Sequence, residues 1–231
     1  GGVSQAEHEA LLASRPVFDL YKIADAVPAA GYGAYEFGIP VDGPYYTPVS
    51  RFIGEHAASW RARQADGMLL FCYAPNEKSP VSDWASLAVL LARQCFDEGQ
   101  APTVPSVPVG GTAERLAPGL YLTVVHGQNI PSLAGSRYPG YLIREEIKED
   151  EALDPSAAYR SIACTDTKIY IFQPQLIGLP SVDGLDTAGS GGWQYAVEAV
   201  TKSEIKKRYA DLEITKTLSS YSDPVTFVFE V

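Results

Sequence analysis

The sequence contains few of the residues from which catalytic and metal sites are usually built. Its 231 residues include three histidines, three cysteines and one methionine. The histidines and cysteines are scattered and do not form the close pairs that a zinc site requires. They are His8, His56, His126, Cys72, Cys95 and Cys164. We therefore expect no bound metal and no other cofactor.

The scattered cysteines leave two interpretations open. All three thiols can be small buried hydrophobic groups, or two can form a disulfide and leave the third free, a pairing that the sequence does not assign. A cysteine hydrolase would also need a histidine base and an orienting group. Cys95 ends a predicted helix and His126 follows a predicted strand, but no local motif supports their contact. Carboxylate pairs for glycoside hydrolysis also lack a distinctive context among the 28 acidic residues. We expect a protein that is not an enzyme.

Positive charge and long apolar runs are also scarce. The formal net charge is −10 and the isoelectric point lies near 4.8, a balance that repels phosphate backbones and anionic lipid headgroups. No apolar run approaches the roughly 18 residues that span a bilayer. We therefore expect neither nucleic-acid partners nor membrane insertion of this chain. The first residues do not have the charged and then apolar pattern of a leader, so we expect that an exported protein would already have lost it.

The residues that are abundant favour a turn-rich β protein. There are 20 glycines, 17 prolines and 14 tyrosines, and short runs of β-branched and aromatic residues lie between turn signals. The central run is 117–125, which opens with a Pro-Gly turn. Further strands are predicted at 17–25, 34–39, 68–74, 167–172, 176–180, 193–200, 211–218 and 225–231. A short helical or frayed segment is also expected at 5–14, and a helical piece at 59–64.

One helix is predicted clearly, over residues 83–98. Asp83 lies in its first turn, where an anion suits the helix dipole, and Gly99 is placed to end it. An apolar stripe with helical spacing runs along it, formed by Trp84, Leu87, Ala88, Leu91 and Cys95. We interpret this stripe as a core-packing face.

Several of these segments, in this order, resemble the Cna B-type (collagen-adhesin B-like) domains of Gram-positive pilins and surface adhesins. The similar residues are Val17-Phe18-Asp19-Leu20-Tyr21-Lys22-Ile23-Ala24-Asp25, the helix from Asp83, Leu116-Ala117-Pro118-Gly119-Leu120-Tyr121-Leu122, and Trp193-Gln194-Tyr195-Ala196-Val197. The resemblance implies a mainly β fold, an Ig-like or prealbumin-like β-sandwich with one inserted α-helix. It also implies an extracellular, cell-wall-associated location.

The same resemblance divides the chain. Residues 1–202 would form the N-terminal Cna B-like domain with the inserted helix 83–98, and 203–209 a polar, basic linker. The tail, residues 210–231, is similar to the two opening strands of a second, incomplete domain. A two-stranded hairpin is not stable alone in water, so another sheet edge should cover it.

Members of this family often carry an isopeptide bond between a buried lysine and an Asn or Asp side chain, with an acidic proton relay. The first domain departs from that pattern, because its only asparagines, Asn76 and Asn129, precede the terminal strand. Lys22 is a weak candidate, and we expect no internal crosslink within 1–200. Lys216 matches the family's bond-forming lysine better, but its expected partner lies outside this chain.

Lys202 follows the last predicted strand of the first domain. In pilin shaft subunits, a lysine at this place is joined by a sortase to the next subunit. The usual context resembles Val-Tyr-Pro-Lys, whereas here it is Val200-Thr201-Lys202. A solvated lysine is the alternative interpretation.

Two functions remain open at this stage. The first is a non-catalytic structural pilin or stalk subunit whose partners are neighbouring subunits. The second is an adhesin that recognises a host glycan or matrix protein through loops 40–66 and 127–160. The tyrosines that would suit such a binding surface are Tyr45, Tyr46, Tyr138, Tyr141 and Tyr159. In the alternative interpretation, several of them fill the ends of the sandwich. The acidic run 145–151 is most simply a solvated face, with a calcium site as a weaker alternative.

Overall fold

The computed structural model of the chain describes residues 5–13, 15–29, 35–74, 83–127, 141–142, 160–164, 168–182, 193–194 and 203–207. The helices in these ranges are α1 (Gln5–Ala13), α2 (Tyr46–Glu55) and α3 (Asp83–Asp97). The strands are β1 (Pro16–Pro28), β2 (Tyr35–Pro40), β3 (Trp60–Ala65), β4 (Met68–Tyr73), β5 (Val104–Pro108), β6 (Gly119–Gly127), β7 (Tyr141–Leu142), β8 (Arg160–Cys164), β9 (Lys168–Phe172), β10 (Gln175–Leu179), β11 (Ser181–Val182), β12 (Trp193–Gln194) and β13 (Ser203–Lys207). The described part is mainly β, as the sequence predicted.

The largest sheet is antiparallel and open, and its strands lie in the order β10-β6-β1-β2-β4-β3. One edge of β1 pairs with β6 from Pro16 to Asp25. The opposite edge of β1 pairs first with β5 and then, from Asp25 to Pro28, with β2. The β1 strand is therefore bonded on both sides over much of its 13 residues.

Helices α2 and α3 pack on one face of this sheet and form the main core with it. The predicted stripe on α3 is confirmed, because Leu87, Ala88, Leu91 and Cys95 are buried there against sheet residues such as Leu122. The predicted end of the helix is confirmed within one residue. Gly99 adopts a positive φ of 61°, and two backbone bonds, Gly99 N to Phe96 O and Gln100 N to Cys95 O, close a Schellman turn.

The other face of the sheet is covered by two smaller apolar clusters. Leu20, Tyr121 and Leu179 form one, against which Val104 and Val107 of β5 pack. The other joins Val125 to Tyr170 and Phe172 of β9. Strand β9 belongs to a four-stranded sheet of order β13-β9-β8-β7, so this cluster connects the two sheets. A separate pair, β11 with β12, completes the described strands.

The helical prediction over 59–64 is wrong, because Trp60–Ala65 is strand β3. It forms a hairpin with β4 across Asp66 and Gly67, whose φ angles are 52° and 72°. Two consecutive positive φ angles and an Asp-Gly pair are typical of a type I′ turn, so a local signal for this hairpin was present. Helix α2, by contrast, was not predicted.

The remaining predictions have different outcomes. Residues 203–207 of the expected linker form strand β13, whose partner is β9. Helix α1 (Gln5–Ala13) lies within the segment 5–14 that was expected to be helical or frayed, and α3 matches the predicted helix. The strand predicted at 193–200 is described only at 193–194, and both the tail 210–231 and most of 127–160 lie outside the described residues.

Candidate functional site

A buried carboxylate–histidine pair links β1 to β6. In the antiparallel register Val17 lies opposite His126 and Asp19 opposite Val124, so Asp19 and His126 are diagonal neighbours on one face. His126 Nε2 lies 2.8 Å from Asp19 Oδ2. The two side chains are only 15% and 11% exposed. The other carboxylate oxygen of Asp19 accepts a hydrogen bond of 2.8 Å from the backbone N–H of Ser106 on β5.

Both ring nitrogens of His126 face oxygen acceptors. Besides the contact with Asp19, Nδ1 lies 2.9 Å from the carbonyl oxygen of Gly127. A neutral imidazole carries one N–H, whereas the imidazolium carries two, so only the protonated ring can donate to both oxygens. Burial lowers the pKa of His126, but its hydrogen bonds to Asp19 and Gly127 and the charge of Asp19 outweigh burial and raise that pKa above its usual value.

A second cluster places a serine, an aspartate and a histidine together. Asp83 begins α3, and Ser59, which is fully buried, ends the turn between α2 and β3. The Ser59 hydroxyl donates a short hydrogen bond to Asp83 Oδ2. His56 Nε2 lies 3.9 Å from Asp83 Oδ1, and His56 Nδ1 lies 2.8 Å from the carbonyl oxygen of Phe52.

This second cluster does not have the order of a catalytic triad. In a triad the histidine lies between the hydroxyl and the carboxylate and takes the proton of the hydroxyl. Here the carboxylate of Asp83 lies between Ser59 and His56, and the hydroxyl donates to the carboxylate. The arrangement ties the turn after α2 to the first residue of α3.

Aromatic rings pack beside this cluster. Trp60 and Trp84 are stacked with ring centroids 5.4 Å apart. The ring centroid of Tyr73 lies 4.9 Å from that of Trp60. The indole N–H of Trp84 donates to the carbonyl oxygen of Leu176 at 3.3 Å. The indole N–H of Trp60 is buried and has no hydrogen-bond acceptor among the described residues.

Cys95 and His126, which were considered for a cysteine hydrolase, have different partners. His126 contacts Asp19, whereas Cys95 contacts Tyr45. Cys95 Sγ is 3.5 Å from the hydroxyl of Tyr45, and burial raises the pKa of the Cys95 thiol to about 11. Burial, and then the contact with Cys95, raises the pKa of Tyr45 as well. The thiolate that a nucleophile requires is therefore disfavoured at Cys95. Cys72 and Cys95 are both free thiols, and the side chain of Cys164 lies outside the described residues.

Of the three lysines considered as linkage sites, the structure describes Lys22 alone. Lys202 and Lys216 lie outside the described residues, as do Asn76 and Asn129. Lys22 is described, and its Nζ lies 2.5 Å from Oδ1 of Asp25 on the same strand. Because Asp25 is 58% exposed, this contact lacks the burial that isopeptide chemistry needs to keep the amine neutral.

The tyrosine surface predicted for an adhesin is wrong at Tyr45, which is only 8% exposed and belongs to the main core. It is buried because α2 packs its first turn against α3. Tyr46 is half-buried. Tyr138 and Tyr159 lie outside the described residues, as does the side chain of Tyr141.

The described ranges contain neither a cluster of metal ligands nor a membrane-spanning helix. No three His, Cys, Asp or Glu side chains are grouped there so that they could hold a metal ion. The acidic run 145–151 is outside those ranges. No described helix has the length and apolar character required to cross a membrane.

Sequence reasoning missed the pairing of Asp19 with His126 and the contact of Ser59 with Asp83, although Asp83 itself was predicted in the first turn of α3. A weak signal existed for Asp19, because an aspartate stands inside the otherwise apolar run Val17-Phe18-Asp19-Leu20-Tyr21. An aspartate is rarely buried unless it is paired. That rule implies a partner for Asp19 but does not identify it. In comparisons with protein-family models, curated proteins and solved structures, nothing was found to match this chain.

Proposed function

We propose that this chain is a non-catalytic structural unit of a secreted, wall-attached surface protein of a Gram-positive bacterium, in the role of a stalk or pilus shaft. Its partners would be neighbouring subunits of the same assembly. The proposal combines the resemblance to Cna B-type domains with the way in which β1 is held in the sheet.

The pairing of β1 is the observation that carries this proposal. Nine residues between Pro16 and Asp25 are in register with β6, and the other edge of β1 is bonded to β5 and β2. Inter-strand hydrogen bonds lie perpendicular to antiparallel strands. A load along β1 would therefore act on many of these bonds at once and not on one after another, which suits a unit that must carry tension.

The buried polar groups are hydrogen-bonded to one another within the protein, which supports a non-catalytic role. Asp19 accepts from both Ser106 and His126, and Asp83 accepts from the buried Ser59. These contacts join strands and helices to one another, and a substrate would have to displace them. The high pKa of Cys95 also disfavours thiol chemistry.

We also propose that the two larger sheets form a β-sandwich of the Ig-like or prealbumin-like kind. Val125 of β6 packs with Tyr170 and Phe172 of β9, which places apolar side chains of the two sheets against each other. Helices α2 and α3 would then be additions on the outer face of one sheet.

The adhesin alternative has less support. Of the two loops proposed for ligand recognition, residues 46–65 are largely helix α2 and strand β3. Tyr45 and Phe52 from this segment belong to the core. A glycan and matrix-protein binding screen would still favour an adhesin if deletion of 127–160 abolished a specific signal without unfolding the protein.

The test of wall attachment starts from the cells that produce the protein. Their walls are digested with a muramidase, and the released material is separated under denaturing conditions. We expect the protein in the wall digest, as covalent species larger than one subunit if it forms a shaft. Recovery of the protein only from the cytosol would overturn the proposal.

Peptide sequencing of the same material tests Lys202. In a shaft we expect a branched peptide at Lys202, and Lys202→Arg should remove the covalent ladder. Lys207→Arg, on strand β13, is the matched control and should leave the ladder intact. Wall-attached multimers with an unmodified Lys202 would exclude this residue as the linkage site.

Intact mass tests the crosslink predictions for this chain. We expect the mass calculated from the sequence, with Lys216 as a free amine. A deficit equal to one ammonia or one water would show that an isopeptide bond forms within the chain, contrary to our expectation.

A further inference from the structure

Strand β5 is held on β1 at an irregular point. The register between these strands shifts between Phe18 and Leu20, and Ser106, opposite the shift, has a positive φ of 56°. A non-glycine residue rarely adopts this conformation without local support. The support comes from Asp19, whose Oδ1 accepts the Ser106 N–H at 2.8 Å. The carboxylate replaces the strand carbonyl that a regular ladder would offer.

The position of that carboxylate depends in turn on β6. Oδ2 of Asp19 lies 2.8 Å from His126 Nε2, and His126 Nδ1 lies 2.9 Å from the Gly127 carbonyl oxygen. Since both ring nitrogens face acceptors, the two contacts are satisfied together only when the ring is protonated. Loss of that proton leaves a ring lone pair directed at an oxygen, and the bond to the Asp19 carboxylate, if it remains, weakens because its donor no longer carries a positive charge.

Strand β5 covers an apolar cluster. Val104 and Val107 pack over Leu20, Tyr121 and Leu179. Strand β5 is held on β1 by its strand pairing and by the contact of Ser106 with Asp19. Just before the strand, Thr103 Oγ1 also accepts a hydrogen bond of 2.9 Å from the backbone N–H of Lys22. Weakening the contact between Ser106 and Asp19 would let β5 separate from β1 around Ser106 and expose part of the cluster.

We propose that Asp19 and His126 form a pH-sensitive latch that holds β5 on β1. The latch is closed when His126 is protonated and is weakened when His126 is neutral. It would make the cover over the Leu20–Tyr121–Leu179 cluster tighter in acidic than in alkaline surroundings.

The charge of Asp19 acts on the His126 ring and raises its pKa. Strand β5 has the sequence VPSVP and brings no charge. Strands β8 and β9, which also contact β6, carry Arg160 and Lys168, whose side chains lie outside the described residues.

The direction of the pH effect follows from linkage. The pKa of His126 is raised in the folded protein, from a value of about 6.5 in the unfolded chain. Its contribution is therefore complete below about pH 6.5 and is lost as the pH rises through the folded-state pKa. The latch loosens on the alkaline side of that pKa.

Amide hydrogen exchange of β5, corrected for the intrinsic effect of pH on exchange, tests the latch. Between about pH 6 and about pH 9 we expect protection of Ser106 and Val107 to fall roughly tenfold. This factor corresponds to the lower end of the range for a hydrogen bond to a charged group. Amides of the β3–β4 hairpin should keep their protection across the same range.

His126→Gln keeps a neutral donor and should make β5 protection low and independent of pH. His56→Gln is the matched control, because it replaces a histidine of the second cluster while leaving the latch intact, and it should keep the wild-type pH dependence. The proposal is overturned if His126→Gln retains the wild-type change in β5 protection.

A second measurement needs no variant. In wild-type protein, NMR follows the His126 ring and the Ser106 amide in one pH titration. We expect both to titrate with the same midpoint, above about 6.5. A Ser106 amide whose shift and protection do not change while the His126 ring titrates would overturn the proposal even if the variants failed to fold.

Discussion

Replacing Asp83 with alanine should destabilise the fold far more than replacing an ordinary helix aspartate. Asp83 is 2% exposed and accepts the hydroxyl of the fully buried Ser59. Loss of a hydrogen bond to a charged acceptor costs about 1.5–3 kcal/mol. Loss of an anion in the first turn of a helix adds about 0.3–1 kcal/mol. We therefore expect Asp83→Ala to lower the free energy of unfolding by about 2–4 kcal/mol.

The assay is urea-induced unfolding followed by two optical probes, with the slope of each transition compared between variants. Asp97→Ala is the matched control on the same helix. Asp97 is 49% exposed, and its Oδ2 lies 3.6 Å from Nε of Arg93. An exposed pair at this spacing contributes about 0.3–0.5 kcal/mol, and an anion near a helix C-terminus is itself unfavourable. The control should therefore change stability very little.

Two further variants separate the contributions. Asp83→Asn keeps an oxygen acceptor for Ser59 but removes the charge, so it should cost less than Asp83→Ala. Ser59→Ala completes a double-mutant cycle, in which contacting residues should be non-additive by about 0.5–3 kcal/mol. If Asp83→Ala cost no more than Asp97→Ala, or if the Ser59 and Asp83 effects were additive, our account of this cluster would be refuted.

Other predictions concern close packing and thiol reactivity. A Cβ at Gly119 would collide with the Ala24 carbonyl oxygen, so Gly119→Ala should destabilise by about 1–3 kcal/mol. At Gly54 in α2 a Cβ meets nothing within 4 Å, so the same change should stabilise by up to about 1 kcal/mol, and thermal unfolding of both variants tests this difference in sign. Cys72 is half-exposed while Cys95 is buried with a pKa of about 11, so a thiol reagent should label Cys72 first. Peptide mapping that found equal labelling rates would contradict this order.

The local pattern of the sequence determined the elements that depend on near neighbours. Helix α3 was predicted within one residue because its apolar stripe, the acidic Asp83 and Gly99 all lie within one short stretch. The strands β2, β4 and β6 were predicted because β-branched and aromatic runs are bounded by turn residues. In each case the deciding interactions span a few positions along the chain.

Prediction from local sequence failed where contacts with a distant part of the chain decided the structure of a segment. Trp60–Ala65 was predicted as helical, but six residue pairs with β4 and the turn at Asp66 and Gly67 make it a strand. Residues 203–207 of the expected linker 203–209 are paired with β9. Tyr45 was expected on the surface, yet the packing of α2 against α3 places it beside Cys95, 50 positions away.

By itself, the sequence determined a mainly β chain of acidic character with one clear amphipathic helix, since composition and periodicity are properties of local stretches. Only the tertiary structure brought Asp19 to His126 across 107 positions and Ser59 to Asp83 across 24. The physical reason is that strand register decides which side chains become neighbours. The pairing of the carboxylate with the imidazole then offsets the desolvation cost that burial would impose on either group alone.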